Sequence, residues 1–140
     1  MNVAPYAYRA GFRGDALRIA VAIAYAESGG DPTMYNPETA AGTPAGMGSV
    51  GLWQIYRKAH PDLANLNLTD PQVNANAAMS VFRQAGGSFY PWATYQHGSY
   101  IPFLPRADQE IAALGPADKI GVVPIVVGIL AAAFAIKSLT

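Results

Sequence analysis

The feature that most constrains this chain is an apolar segment, residues 16–26 (ALRIAVAIAYA), which runs into Glu27 shortly before two glycines. At 100° per residue, Glu27 lies on the same side as most of the apolar side chains, while Arg18 lies about 180° away. We therefore predict a helix over residues 16–28, with Asp15 as its N-cap, that points its carboxylate toward the core. Burial and the negative end of the helix dipole both disfavour the ionised form. The pKa of Glu27 is therefore expected to rise into the range of a general acid.

Composition narrows the classes of function. The 140 residues are enough for one domain with a core, and only 13% of them are charged, against roughly 25% in soluble domains. A net charge of zero gives no basis for binding nucleic acid or for a polybasic grip on anionic lipid. The absence of cysteine excludes disulfides and thiolate chemistry. His60 and His97 lack the spacing of a zinc site, so no metal and no cofactor is predicted.

Glycines and prolines divide the first hundred residues into segments. We interpret residues 1–14 as an N-terminal arm and residues 31–50 as a long loop that holds a small hairpin. A second helix is predicted over residues 71–84, because Thr-Asp-Pro is a helix start and apolar side chains recur at helical spacing after it. Asp70 is the residue before this helix.

Shorter segments follow the same reasoning. Residues 51–57 (GLWQIYR) fit either the start of a helix or an extended piece, and the aromatic-rich residues 91–100 fit a short helix or turn. Residues 101–118 are interpreted as a connector that contains a short amphipathic piece over residues 106–114. The chain is therefore predicted to be mainly α-helical.

The C-terminal run Ile120–Ile136 (IGVVPIVVGILAAAFAI) carries no charge and no strongly polar side chain, and Lys119 and Lys137 flank it. As a helix it would span roughly 26 Å, the short end of what crosses a hydrocarbon core. Because the run is apolar on every face, we predict a transmembrane helix within residues 119–140. A buried core helix is the alternative. One lysine on each side gives little orientation preference.

Three short segments, or patches, contain residues that could take part in catalysis or binding. They are Ala26–Gly30 (AESGG), Ser49–Ile55 (SVGLWQI) and Pro91–Tyr95 (PWATY), the last followed by Gly98 and Tyr100. This series resembles the lysozyme-like superfamily, and within it the soluble lytic transglycosylases and phage lysozyme-like domains. In that family a helix ends in Glu-Ser, a Gly-Leu-x-Gln patch follows, and an Ala-Tyr-Asn-x-Gly-like patch closes the site. The resemblance covers residues 15–100, and it implies a lysozyme-like helical domain.

The resemblance also implies roles for individual residues. Glu27 matches the catalytic acid, and Ser28 matches the serine that commonly follows and supports it. Gln54 matches the glutamine that lines the sugar-binding cleft, and Tyr95 matches a tyrosine that sits against the catalytic carboxyl. Trp53 joins this group as a substrate-binding or supporting residue, with a place in the core as the alternative reading. The third patch departs from the family pattern, since Gln and His follow the tyrosine where Asn and a small residue are usual.

The expected chemistry is cleavage of the β-1,4 bond between MurNAc and GlcNAc in peptidoglycan. A protonated Glu27 delivers its proton to the leaving-group oxygen. A hydrolase then needs a second carboxylate, whereas a lytic transglycosylase uses the sugar's own 6-hydroxyl and the same Glu as base. No second-carboxylate motif is visible, which favours the transglycosylase. A loop that brings Asp31 or Glu38 across the cleft stays open as an alternative.

We expect a peptidoglycan lytic transglycosylase anchored in a membrane through Ile120–Ile136. No cleaved leader is expected, which suggests delivery by a phage virion, at a tail tip or ejection apparatus, and on infection a place in the host cell envelope. A bacterial secretion or conjugation machine is second. The partners would be glycan strands, the membrane and other proteins of that machine, with no nucleic acid. The rival functions are a goose-type-like muramidase and a structural membrane-penetration component with a degenerate domain.

Overall fold

The computed structural model describes residues 1–120 of the chain. This range contains six α-helices, a small sheet and two 3-10 turns, at Thr39–Ala41 and Ile101–Phe103. The helices are Ala4–Ala10 (α1), Gly14–Ser28 (α2), Pro71–Gln84 (α3), Ala93–Gln96 (α4), Leu104–Ala112 (α5) and Pro116–Ile120 (α6). The strands are Tyr35–Asn36 (β1), Ser49–Val50 (β2) and Ile55–Tyr56 (β3). The predicted mainly α-helical class is confirmed for this part of the chain.

Helix α2 is the central element of the core. Its buried side chains include an unbroken stretch, residues 20–25, because other elements pack on several of its sides. The helix begins earlier than predicted: Arg13 is the N-cap residue, and no side chain caps the end. Asp15 therefore lies inside the first turn, where its negative charge faces the positive end of the helix dipole. The helix ends at Gly29, whose left-handed backbone (φ 65°) stops it as predicted.

Helix α3 forms over the predicted residues, and its start has the predicted cause. The carboxylate of Asp70 accepts hydrogen bonds from the backbone N–H of Gln72 (2.9 Å) and Val73 (3.1 Å). Pro71 occupies the first helical position, where its missing N–H costs nothing. The helix packs against α1 and also contacts β3.

The long loop contains the predicted hairpin and contributes to a three-stranded antiparallel sheet in the order β1-β2-β3. Tyr35 pairs with Val50, and Ser49 pairs with Tyr56. Residues 51–54 form a tight turn between β2 and β3, so the extended reading of residues 51–57 is correct and the helix start is wrong. The sheet contacts α3 through β3.

Both flanks of the predicted catalytic domain pack onto it. The N-terminal arm forms α1, which fully buries Val3, Ala4 and Ala7. The segment interpreted as a connector forms α5 and α6, which contact α1, while α5 also packs along α2. No helix within residues 1–120 combines the length and the apolar character needed to cross a membrane. The predicted transmembrane segment Ile120–Ile136 lies outside the described residues, apart from Ile120 at the end of α6.

Candidate active site

Glu27 lies in the last turn of α2, half-buried between the helix core and the surface. Burial first, and the nearby charge of Glu38 second, raise the pKa of Glu27 from 4.5 to about 7. No hydrogen bond to its carboxylate forms within residues 1–120 that would favour the ionised state. At neutral pH the group is therefore divided between its acid and base forms, which is what general acid–base catalysis requires.

Ser28 fixes the turn that follows Glu27. Its hydroxyl is buried, donates to the backbone oxygen of Ala24 (2.9 Å) and accepts the backbone N–H of Gly30 (3.2 Å). The backbone N–H of Gly29 donates to the oxygen of Tyr25 (2.9 Å), which closes the helix. The supporting role predicted for Ser28 has a physical basis here, since its hydroxyl satisfies groups on both sides of the acid.

Glu38 is the carboxylate whose charge acts on Glu27, and it is one of the two acids left open above as a second carboxylate. It precedes the 3-10 turn in the long loop, with a left-handed backbone (φ 54°) that is unusual for a residue with a side chain. One carboxylate oxygen accepts the hydroxyl of Ser49 (2.9 Å), itself buried on β2. The sheet thus fixes a second acidic group beside the first, and no local sequence motif signals this pairing.

Gln54 occupies the tight turn after β2 and also has a left-handed backbone (φ 48°). Its side-chain N–H group donates to the backbone oxygens of Met34 (3.1 Å) and Gly51 (3.0 Å). Backbone hydrogen bonds continue from Met34 to the end of α2: the N–H of Met34 donates to the oxygen of Asp31, and the N–H of Asp31 donates to the oxygen of Ser28. The structure therefore joins the first and second patches into one connected surface.

Asn74 on α3 organises this turn, and the sequence analysis missed it. The side chain is fully buried and accepts the backbone N–H of Trp53 (2.9 Å). It also donates to the backbone oxygens of Val50 (2.8 Å) and Leu68 (2.9 Å). A signal was present, because Asn74 is a polar residue on the apolar face of the predicted helix, where a buried amide needs partners.

Trp53 belongs to the core and not to the cleft surface. Its side chain has 0% exposure, and its indole N–H donates to the backbone oxygen of Ala20 in α2 (2.9 Å). This corrects the reading of Trp53 as a sugar-binding residue, because a side chain without exposed surface has none to offer a sugar. Trp92 is also buried, and its indole N–H donates to the backbone oxygen of Trp53 (2.9 Å). Both tryptophans are therefore core residues that connect α4 and the turn after β2 to α2.

Tyr95 lies on α4, the short helix formed by the third patch, which packs against α2. Its ring stacks on Tyr100, with 5.2 Å between ring centroids, and contacts Phe89 at 5.8 Å. The half-buried position leaves part of Tyr95 accessible. The second and third patches both contact α2, the helix that carries Glu27: Trp53 bonds to Ala20, and α4 packs against the helix.

One of three comparisons with known proteins found a match. A family model described as a lysozyme-like domain matches residues 4–94. The match starts at α1, so the family's domain includes the segment that the sequence analysis set apart as an N-terminal arm. The comparison with curated proteins found no match, and the comparison with solved structures found none either.

Proposed function

This chain belongs to the lysozyme-like domain family, and we propose that it cleaves the glycan strands of peptidoglycan with Glu27 as the general acid. The observation that carries the proposal is the state of Glu27: a half-buried carboxyl group in the last turn of α2, raised in pKa to about 7 by burial and by the charge of Glu38. About half of the molecules then hold the proton at neutral pH. No metal or cofactor is needed for the step.

The reaction that we propose first is lytic transglycosylation. Glu27 donates its proton to the oxygen that leaves the anomeric carbon of MurNAc, and the glycosidic C–O bond breaks through an oxocarbenium-like state. The 6-hydroxyl of the same MurNAc attacks the anomeric carbon, and the Glu27 carboxylate takes the hydroxyl proton. The product is a 1,6-anhydro sugar, and Glu27 ends in its starting form.

Neighbouring residues hold the acid and the sugar in place. Ser28 fixes the turn beneath Glu27 through its two hydrogen bonds. We assign Gln54 and Tyr95 to the cleft surface, where Gln54 keeps its side-chain oxygen for a sugar hydroxyl and Tyr95 offers part of its ring. Trp53 acts from the core through its bond to Asn74.

Hydrolysis is the second candidate, and Glu38 favours it. A second carboxylate near the acid is what a hydrolase uses to activate water or to form a glycosyl intermediate. Glu38 is held by Ser49 and lies close enough to act on the pKa of Glu27. In the water-activating version, Glu38 takes a proton from water, and the new hydroxyl group forms a reducing end.

Digestion of purified peptidoglycan by the full chain separates these candidates. Wild type, Glu27→Gln and Glu38→Gln are compared, with products identified by mass spectrometry. Anhydro-muropeptides that disappear in Glu27→Gln and persist in Glu38→Gln support the transglycosylase. Reducing-end products that disappear in both variants support the hydrolase. A folded wild type that releases neither product would refute both and favour the structural membrane-penetration function.

We further propose that the apolar run Ile120–Ile136 attaches the domain to a membrane, within a phage virion or a secretion machine that brings it to the cell wall. The support is the sequence alone: an uncharged run with a lysine at each end. Flotation of the full chain with phospholipid vesicles tests the attachment. We expect wild type to float and a Val127→Glu, Leu130→Glu variant to stay at the bottom. Equal flotation of the two would refute the attachment.

A further inference from the structure

A buried hydrogen-bonding cluster lies on the opposite side of α2 from Glu27, and the carboxylate at its centre lies beyond the matched range 4–94. Its centre is Glu110 of α5, whose side chain is 4% exposed. One carboxylate oxygen accepts the backbone N–H groups of Val3 (2.7 Å) and Ala4 (3.0 Å) at the start of α1. The other accepts the hydroxyl of Tyr25 and the Nε–H of Arg106 (2.8 Å). Four donors thus converge on one buried carboxylate.

Tyr25 connects this cluster to the end of α2. Besides its bond to Glu110, its ring stacks on Phe103 at 6.3 Å between centroids, and the Arg106 guanidinium lies 5.0 Å from the ring centroid. Tyr25 precedes Glu27 by two residues, which places the two side chains about 200° apart on the helix. The tyrosine therefore fixes α2 from one side while the acid faces the other.

The turn after Glu27 rests directly on the Tyr25 ring. A Cβ atom at Gly30 would lie 2.8 Å from Cε1 of Tyr25, so only glycine allows this approach, and the backbone there is left-handed (φ 82°). Gly29 is bonded through its N–H to the Tyr25 backbone oxygen. The Tyr25 ring therefore supports the backbone at Gly30, and the Tyr25 backbone oxygen holds Gly29.

We propose that Glu110 is a positioning residue for the cleavage reaction: by holding Tyr25, it fixes the Gly29–Gly30 turn that aims Glu27 at the glycosidic bond. The inference rests on the proposed function. It assigns to α5, outside the matched range, a part in catalysis as well as in stability. A second contact between α5 and α2, the exposed ion pair of Arg18 with Asp108 (2.6 Å), lies away from the turn and provides a matched control.

The test compares the full chain in four forms: wild type, Glu110→Gln, Tyr25→Phe and Asp108→Asn. Tyr25→Phe removes the bonds of the Tyr25 hydroxyl to Glu110 and to the backbone oxygen of Met1 but keeps the bonds of Glu110 to α1, so it separates positioning from the capping of α1. Cleavage of soluble glycan strands is measured below the unfolding transition of each variant. Hydrogen exchange at Gly29 and Gly30 is followed in the same samples.

We expect kcat to fall on the order of tenfold in Glu110→Gln and Tyr25→Phe, with KM within about twofold, since small displacements of a catalytic group slow the reaction strongly. Exchange at the two glycine amides should become faster in both variants, and Asp108→Asn should change neither quantity. Rates per folded molecule that equal wild type in Tyr25→Phe would overturn the proposal and leave Glu110 a purely structural role. If wild type cleaves nothing, the proposed function fails, and unchanged exchange at the glycines would then refute the positioning role separately.

Discussion

Replacing Glu38 by Gln tests the electrostatic origin of the Glu27 acidity. Glutamine keeps an oxygen that can accept the Ser49 hydroxyl, so the loop geometry is preserved while the negative charge is removed. Without that charge the ionised form of Glu27 becomes less unfavourable, and its pKa falls. Burial is the larger cause of the rise from 4.5 to about 7, so most of the rise should survive the substitution.

The size of the effect follows from this division. A single like charge about 6 Å away contributes about 0.5–1 pH unit at an effective dielectric of about 40–80, which lies between a protein surface and bulk water. A pKa that falls from about 7 by that amount lowers the protonated fraction at pH 7 about two- to fivefold. At pH 5 the acid is protonated in both proteins, and the rates should converge.

The assay is the pH dependence of kcat/KM on soluble glycan strands between about pH 4 and 9, which reports the pKa of the free enzyme's acid. The control is Asp31→Asn, because Asp31 lies in the same loop and bonds Thr33, while its charge is not among the causes that act on Glu27. A basic limb that does not move in Glu38→Gln would refute the electrostatic coupling. A loss of activity at every pH would instead make Glu38 a participant in the chemistry and favour hydrolysis.

Three further predictions concern stability. Because the folded-state pKa of Glu27 is raised, its contribution to stability is fully present below the unfolded value of 4.5 and is lost as pH rises toward 7. Glu27→Gln should therefore raise the free energy of unfolding by ~1–2 kcal/mol at pH 8, after allowance for solvent screening, and change it little at pH 4. Urea denaturation at the two pH values measures this, and equal effects at both would contradict the prediction. Gly51→Ala should lower the free energy of unfolding by about 3 kcal/mol or more in the same measurement. The new Cβ would lie 2.3 Å from Nδ2 of Asn74 and 2.4 Å from the backbone oxygen of Leu68. A loss below about 1 kcal/mol would refute this argument. Asp70→Ala should lower the free energy of unfolding by about 1 kcal/mol, because the α3 cap is lost. Asp70→Asn should keep most of the cap's stabilisation, since asparagine also accepts these hydrogen bonds. An unchanged melting temperature for Asp70→Ala would show that the cap contributes nothing.

The parts of the fold that depend on local sequence could be predicted. Helix α3 follows from Asp70 and the proline after it, because capping needs only residues within one turn. The body of α2 follows from its apolar run, although the start was misplaced because Arg13 takes the N-cap position without a side-chain bond. The raised pKa of Glu27 could be predicted, because the helical periodicity places its carboxyl group toward the apolar side of α2.

The parts that depend on distant contacts could not be predicted. Glu110 lies 107 residues from Val3, and nothing in its local sequence indicates that its carboxylate would be buried at the start of α1. The amphipathic piece around it was visible, but its apolar face does not identify the helix it packs on. Glu38 meets Ser49 only after the loop has folded onto the sheet. The positions of these side chains depend on contacts between residues far apart in the sequence, and local propensity does not predict them.

The two buried indoles have a spectroscopic consequence. Trp92 is bonded to the backbone of Trp53, and Trp53 to the backbone of Ala20, so one relay runs from α4 through the Gln54 turn to the helix of Glu27. The chain has only these two tryptophans, and both are buried. Their fluorescence should therefore be blue-shifted and should report the three patches together, shifting to the red as a single transition when they separate. A glycan that binds in the cleft without opening it should leave this emission unchanged, which makes intrinsic fluorescence a built-in measure of the site's integrity and not of its occupancy.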